Sequence, residues 1–236
     1  MKDLFGRAIL DYQTNNNPKD LITETSISEA DEMSVAYLFR TYNEMPKIER
    51  HALDLTKGTV LDVGCGAGSH SLYLQENRGL TVKSIDISQN SIEACRLRGL
   101  KDAQQADVMT VSNQKYDTIL LLMNGAGMCG RINKLKPFLS HLKDLLTSDG
   151  QILLDSSDII YMFDEDEDGG KWIPLDNEYY GEVTFNISYK GENEDPFEWM
   201  YVDFATLKEA AAAVKLKCEL ILEGDHYDYL AKLTHI

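Results

Sequence analysis

Nowhere in the 236 residues does an apolar run approach the roughly 20 residues that a helix needs to cross a bilayer, which argues against a membrane partner or a membrane protein. Met1-Lys2-Asp3-Leu4-Phe5-Gly6-Arg7 lacks the long apolar stretch, followed by small residues, that marks a secretory signal, so a cytoplasmic location is expected. Cysteine is sparse. Cys65, Cys95, Cys129 and Cys218 lie far apart without paired spacing, so they suggest neither a zinc site nor a disulfide framework and read as isolated reduced thiols; no metal is expected. Basic residues are also in short supply, 23 against 39 acidic ones, for a net charge of -16. That field repels phosphate backbones unless a local basic patch intervenes, which disfavours nucleic acid as substrate or partner. Internal repeats are absent, and the only biased segments are the acids at 164–168 and the alanines at 210–213.

What is present is globular: 43% hydrophobic and 26% charged residues, in a chain long enough for one core plus an appendage. Residues 1–57 carry helical signals. Ser28 precedes Glu29, Asp31 and Glu32 as a capping serine precedes acids, and Val35, Leu38, Phe39 and Tyr42 then recur at helical spacing. Met45-Pro46 breaks the pattern, and a second helix over Lys47–Leu55 closes at Lys57-Gly58. This stretch is expected to be a helical cap outside the main sheet. From Thr59, short apolar runs alternate with amphipathic stretches, predicting strands near 59–63, 81–86, 102–106, 116–123 and 150–155 and helices near 68–77, 88–98 and 131–146. Right-handed crossovers then put helices on both faces and gather the strand C-termini along one ligand-binding edge. An insertion at 157–203 departs from the alternation, with an acidic loop and then strands near 182–190 and 197–202 joined through Gly191-Glu192-Asn193. Thr206 with Glu209 makes a capping-box pattern opening a helix over 207–214, and strands at 217–223 and 226–233 form a terminal hairpin.

The segment Asp62-Val63-Gly64-Cys65-Gly66-Ala67-Gly68-Ser69 places an acid at a strand end, three alternating glycines, and a helix start. Glycines permit a tight turn and close ligand approach, while the helix N-terminus offers free N–H groups to an anion. Asp86 ends the next strand, where its two oxygens can accept from both ribose hydroxyls of a nucleoside. Asp107 follows the third strand, where an acceptor could meet an adenine amino group. A dinucleotide would also use such a turn, but the position of its third glycine or alanine is Ser69. The plainer reading of the three acids is that they are turn and cap residues.

Together these residues resemble the class I S-adenosylmethionine-dependent methyltransferase family, strongly over 59–156 and through strand order beyond. The resemblance implies a Rossmann-like α/β fold: a seven-stranded, mostly parallel sheet with helices on both faces and an antiparallel C-terminal hairpin. A domain at 58–236 would carry the 157–203 insertion with its β-hairpin, under the 1–57 helical cap. It implies S-adenosylmethionine as cofactor, with Asp62, Gly64, Cys65, Gly66 and Gly68 as the first motif around its methionine part. Asp86 would hold the ribose, Ile87 would lie on the adenine, Asp107 and Val108 would edge the base, and Asn124 would face the methyl donor.

Methyl transfer from a sulfonium is an in-line displacement, so holding and shielding the reactants matter most and a general base is optional. His70, Tyr12, Tyr37 and Tyr42 are candidates for such a base, none is assigned as catalytic, and His70 could equally orient the cofactor carboxylate. Arg40 could reach that carboxylate if the N-terminal region folds over the site, or could be a surface residue in ion pairs. After the fourth strand comes Met123-Asn124-Gly125-Ala126, neither the Asn/Asp-Pro-Pro-aromatic pattern of amide and exocyclic-amine methylation nor a Pro-Cys nucleophile, since Met128 precedes Cys129. With the acidic charge this favours a small-molecule acceptor; the alternatives are a basic protein segment, or a binding module that has lost catalysis. Asp164-Glu165-Asp166-Glu167-Asp168-Gly169 copies the first half of a calcium loop, but Leu175 stands where the bidentate acid belongs, so a solvated loop is expected. Trp172, Tyr179, Tyr180, Phe197, Trp199 and Tyr201 in the insertion could line an acceptor pocket or pack the hairpin.

Overall fold

Val60, Leu61, Val63, Ile119, Leu120, Leu121, Ile152, Leu153 and Leu154 are all buried, as near-continuous apolar strands must be when both faces of a parallel sheet are covered. A computed structural model describes residues 2–166, 168, 170–173 and 178–236. The chain begins with α1 (Leu4–Thr14), β1 (Leu21–Thr25), β2 (Ser28–Met33) and α2 (Lys47–Leu55). The alternating region follows as β3 (Thr59–Val63), α3 (Ser69–Glu76), β4 (Thr81–Asp86), α4 (Gln89–Leu97), β5 (Ala103–Gln105), β6 (Tyr116–Leu121), α5 (Ile132–Asp144) and β7 (Leu146–Ser157). Then come β8 (Glu182–Tyr189), β9 (Glu192–Asn193), β10 (Phe197–Met200), α6 (Phe204–Ala213), β11 (Leu216–Glu223) and β12 (Asp228–His235).

Seven strands form the main sheet in the order β11-β12-β7-β6-β3-β4-β5. Its members are parallel except β12, which runs antiparallel to both β7 and β11. Alternate side chains feed two cores. Leu61, Ile119, Leu121, Ile152 and Leu154 pack with Leu135, Phe138 and Leu139 of α5 and Leu207 and Ala211 of α6. Val60, Leu120 and Leu153 point the other way, onto Ile48, Ala52 and Leu53 of α2 and Leu74 of α3. Among the described residues no helix is long and apolar enough to cross a membrane.

The N-terminal region differs from the helical cap expected of it. Ser28–Met33 is a strand, not a helix start, and pairs antiparallel with β1 through Leu21↔Met33 and Ile22↔Glu32. Beyond it the chain makes two short 3-10 turns, Val35–Phe39 and Tyr42–Glu44, in place of a continuous helix, while α2 matches the second predicted helix. β1 also pairs with β8 of the insertion, so a second sheet, β10-β8-β1-β2 with β9 on β8, joins both segments. Asp203, not Thr206, caps α6: its Oδ1 accepts from the Thr206 N–H at 3.0 Å, which starts the helix three residues earlier than the capping-box reading. The thiols are free but not all isolated, for Cys65 and Cys95 lie with their sulfurs 3.8 Å apart.

Candidate active site

The turn from β3 to α3 carries Gly64, Gly66 and Gly68 at φ of +70°, +54° and +82°. At Gly68 packing adds to the backbone demand, since a Cβ there would lie 2.9 Å from Cys95 Sγ. A Cβ on Gly66 would meet nothing within 4 Å, so the turn has an open face at its middle residue. Asp62 points inward: Ser71 Oγ donates to its Oδ2 at 2.6 Å and also lies 2.7 Å from Ser84 Oγ, pinning α3 to β3 and β4. Burial pushes the Asp62 carboxyl above its ordinary range, with His70 and Ser71 opposing. Cys65 is buried, and its contact with Cys95, with burial, pushes its thiol well up.

Asp86 ends β4 and clasps the turn. Its Oδ2 accepts from the Gly66 N–H at 2.9 Å and its Oδ1 from the Ser88 N–H at 2.8 Å, leaving lone pairs on both oxygens. Burial raises its pKa against the pull of those two N–H groups. Ile87, the next residue, is 55% exposed. Asp107 is exposed at the end of β5 and caps the 3-10 turn Val108–Thr110 by accepting from the Met109 N–H at 2.9 Å, while Val108 is buried. Asn124 follows β6, but its amide is largely occupied: Oδ1 accepts from Ser156 Oγ at 2.8 Å and Nδ2 donates to Met200 O at 3.2 Å.

The N-terminal segment roofs the glycine turn. Ser69 Oγ donates to Leu38 O at 2.7 Å, Arg98 donates to Ala67 O at 2.5 Å with its guanidinium 4.7 Å from the Phe39 ring, and Ile9, Leu38, Ala67 and Ala94 share one apolar cluster. Arg40 is buried beneath this roof. Its Nη2 donates to Glu49 Oε1, its Nη1 donates to Tyr37 O at 2.5 Å, and its guanidinium lies 4.0 Å from the Tyr37 ring centre. Glu49 binds His70 Nε2 through its other oxygen at 2.6 Å. Burial pushes the Glu49 carboxyl up, but His70 and Arg40 outweigh it and the net shift is downward. Among the described residues, Arg40 Nε is the one buried side-chain nitrogen or oxygen without a hydrogen-bond partner. A buried unsatisfied donor is costly and marks a place where a ligand acceptor belongs.

A methyltransferase-domain family model matches residues 35–186. A solved S-adenosylmethionine-dependent methyltransferase from Bacteroides fragilis, in complex with S-adenosyl-L-homocysteine, is 46% identical, with a TM-score of 0.90 over 99% of this chain and 95% of that one. This chain belongs to the class I S-adenosylmethionine-dependent methyltransferase family. Methyltransferase GfsG of Streptomyces halstedii is 31% identical over 125 residues, 49% of this chain and 45% of that protein. The ubiquinone biosynthesis O-methyltransferase of Idiomarina loihiensis is 37% identical over 65 residues, 28% of this chain and 26% of that one. The methyltransferase thus spans less than half the length of these curated relatives in the regions it matches.

S-adenosylmethionine is the cofactor, and the site's chemistry fits it: an orphaned buried cation donor for a carboxylate, an open glycine turn, and paired oxygens on Asp86 for a diol. Of the other candidates, Tyr42 donates to both oxygens of Asp54, at 2.8 and 2.9 Å, and stacks on Tyr73, while Tyr12 packs on Phe39. Arg40 is not a surface residue. Sequence reasoning missed Glu49 and Asp155, each a lone acid in an amphipathic or apolar stretch with no local signal. Of the insertion's aromatics, Trp172 is exposed, whereas Tyr179 donates to Asp203 at 2.6 Å, Tyr180 donates to Asp158 at 2.7 Å, and burial raises both phenols. Trp199 lies against Gly127, where a Cβ would fall 2.1 Å from its indole, so the insertion abuts the turn after β6. In the acidic loop, Asp166 Oδ1 accepts from the Asp168 and Gly170 N–H groups and Glu165 pairs with Lys171 at 2.8 Å; Glu167, Gly169 and Leu175 of the calcium-loop comparison lie outside the described residues.

Proposed function

We propose that this methyltransferase transfers the S-adenosylmethionine methyl group to a small-molecule acceptor in the cytoplasm, where unpaired thiols stay reduced. The observation that carries the cofactor placement is the unpartnered Nε of Arg40 beside the roofed glycine turn. In this reading Arg40 holds the cofactor carboxylate, and Gly64, Cys65, Gly66 and Gly68 give its methionine part a close backbone, with Asp62 bracing them from below. Asp86 accepts from the ribose hydroxyls, Ile87 and Val108 flank the adenine, Asp107 edges it, and Asn124 borders the methyl donor. When bound, the cofactor supplies an electrophilic methyl group for in-line displacement by a nucleophilic atom. The chain's contribution is to align and to exclude water: residues 1–57 act as a lid over the 58–236 domain, and the 157–203 insertion walls the acceptor side.

The small acceptor is supported by the roof itself, which narrows access to the strand edge, and by the net charge of -16, which disfavours nucleic acid. The name of the Idiomarina relative, an O-methyltransferase of ubiquinone biosynthesis, points to the same acceptor class. The test is S-adenosylhomocysteine release against pools of small phenols, amines and carboxylic acids, with basic peptides as a parallel arm. Turnover with a small molecule is the expected result. Turnover with peptides alone overturns the acceptor class, and calorimetry showing no S-adenosylhomocysteine binding overturns the site.

A further inference from the structure

The turn after β6 is held in an unusual shape. Met123 and Asn124 have φ of +63° and +59°, a left-handed conformation that side-chain-bearing residues keep only when their surroundings impose it. Asp155, buried near the end of β7, is what imposes it. Its Oδ2 accepts from the Met123 N–H at 3.1 Å, and its Oδ1 accepts from the N–H groups of Asn124 at 2.7 Å and Gly125 at 3.4 Å. The neighbouring Ser156 then fixes the Asn124 side chain and accepts from the Val202 N–H at 3.0 Å. Two consecutive residues of β7 therefore tie this turn, by backbone and by side chain, to the strand end of the insertion.

We infer that Asp155 is a positioning residue of the methyl-transfer site, its ionised carboxylate setting the 123–125 turn against which acceptor and cofactor are aligned. The inference rests on the cofactor placement proposed above. Only a carboxylate has acceptors on both branches; an amide would turn an NH2 group toward one of the three N–H donors. The titratable groups facing Asp155 are Glu49 from α2, itself held by Arg40 and His70, and the neutral Tyr37 hydroxyl from the roof. Burial and the Glu49 charge raise the Asp155 carboxyl to about 7, while its three N–H partners oppose the rise. Near neutral pH the turn therefore has two protonation states. In the protonated one an oxygen becomes a donor and releases its N–H.

Trp199 reports on this turn through its contact with Gly127, and Trp172→Phe leaves it the sole tryptophan. We expect its emission in that variant to follow one titration near neutrality between about pH 5.5 and about pH 8.5, and to be flat when Asp155→Asn is added. Saturating S-adenosylmethionine, whose sulfonium is positive, should lower the midpoint relative to saturating S-adenosylhomocysteine, which lacks that charge. A residue that only supports the fold would not distinguish the two. A titration that persists with D155N, or a midpoint identical with both ligands, overturns the inference. Should D155N fail to fold, E49Q decides: the midpoint must fall when that negative charge is removed, and an unmoved midpoint overturns it. Failure of both ligands to bind in calorimetry sinks the cofactor placement, and with it the positioning role, while the unliganded titration still shows which residue holds the turn.

Discussion

Arg40 has its charge balanced by Glu49 and its Nε–H unspent, so a substitution that keeps the charge separates its two roles. Arg40→Lys retains a cation for Glu49 but has no planar fork to reach a second carboxylate. Its S-adenosylhomocysteine affinity, read by calorimetry, should fall by about 1.5–3 kcal/mol, on the order of tenfold to a hundredfold in Kd. Asp86→Asn should weaken the same ligand by at least about tenfold. An amide can accept from Gly66 or Ser88 through its oxygen but not from both through separate oxygens. An unchanged Kd in either variant removes that residue from the cofactor site. The glycine turn and Asp86 were legible in the sequence because their spacing is local and strand-bound. Glu49 and Asp155 were not, because each owes its role to partners brought in by tertiary packing, Arg40 and His70 for one and the 123–125 turn for the other.

Among elements, the join between the insertion and the turn after β6 is a close contact open to a simple test. Gly127→Ala puts a methyl group into the Trp199 indole, and overpacking of this kind costs about 1–3 kcal/mol. We expect a lower melting temperature and altered Trp199 emission, whereas a variant melting like the parent would mean that β10 yields freely. The parallel strands were readable because burial on both faces leaves continuous apolar runs. β2 was not: Ser28–Met33 has five exposed positions and one half-buried, so no period of two could show, and its strand state comes from pairing with β1. Its serine followed by acids imitates a helix start. Asp203 escaped for a related reason, since a cap and a hairpin end look alike until the helix that follows is seen.

For the whole molecule, the excess of negative charge and the Asp155 carboxyl act on stability in separable ways. A net charge of -16 repels itself, so added sodium chloride, which cuts the screening length to about 10 Å near 0.1 M, should raise the melting temperature; a fall would show that its surface ion pairs outweigh the repulsion. Asp155 has a folded-state pKa of about 7, above its ordinary value of 3.8. The stability associated with its protonation is whole below the unfolded value and is lost as pH rises through the folded one, by about 4 kcal/mol in all. Denaturant titrations across that window should show a smaller decline in D155N than in the parent, the remainder coming from groups such as Asp62 and Asp86 that burial also raises. The pairing of β1 with β8 has a consequence for how the protein is made. Ile22 must wait for Ser188 before their ladder can close, so a nascent chain can complete the central parallel strands while β1, already paired with β2, still lacks its second partner. The second sheet is consequently a late product of synthesis, and a ribosome-bound chain stalled before β8 should leave the outer edge of β1 open to solvent.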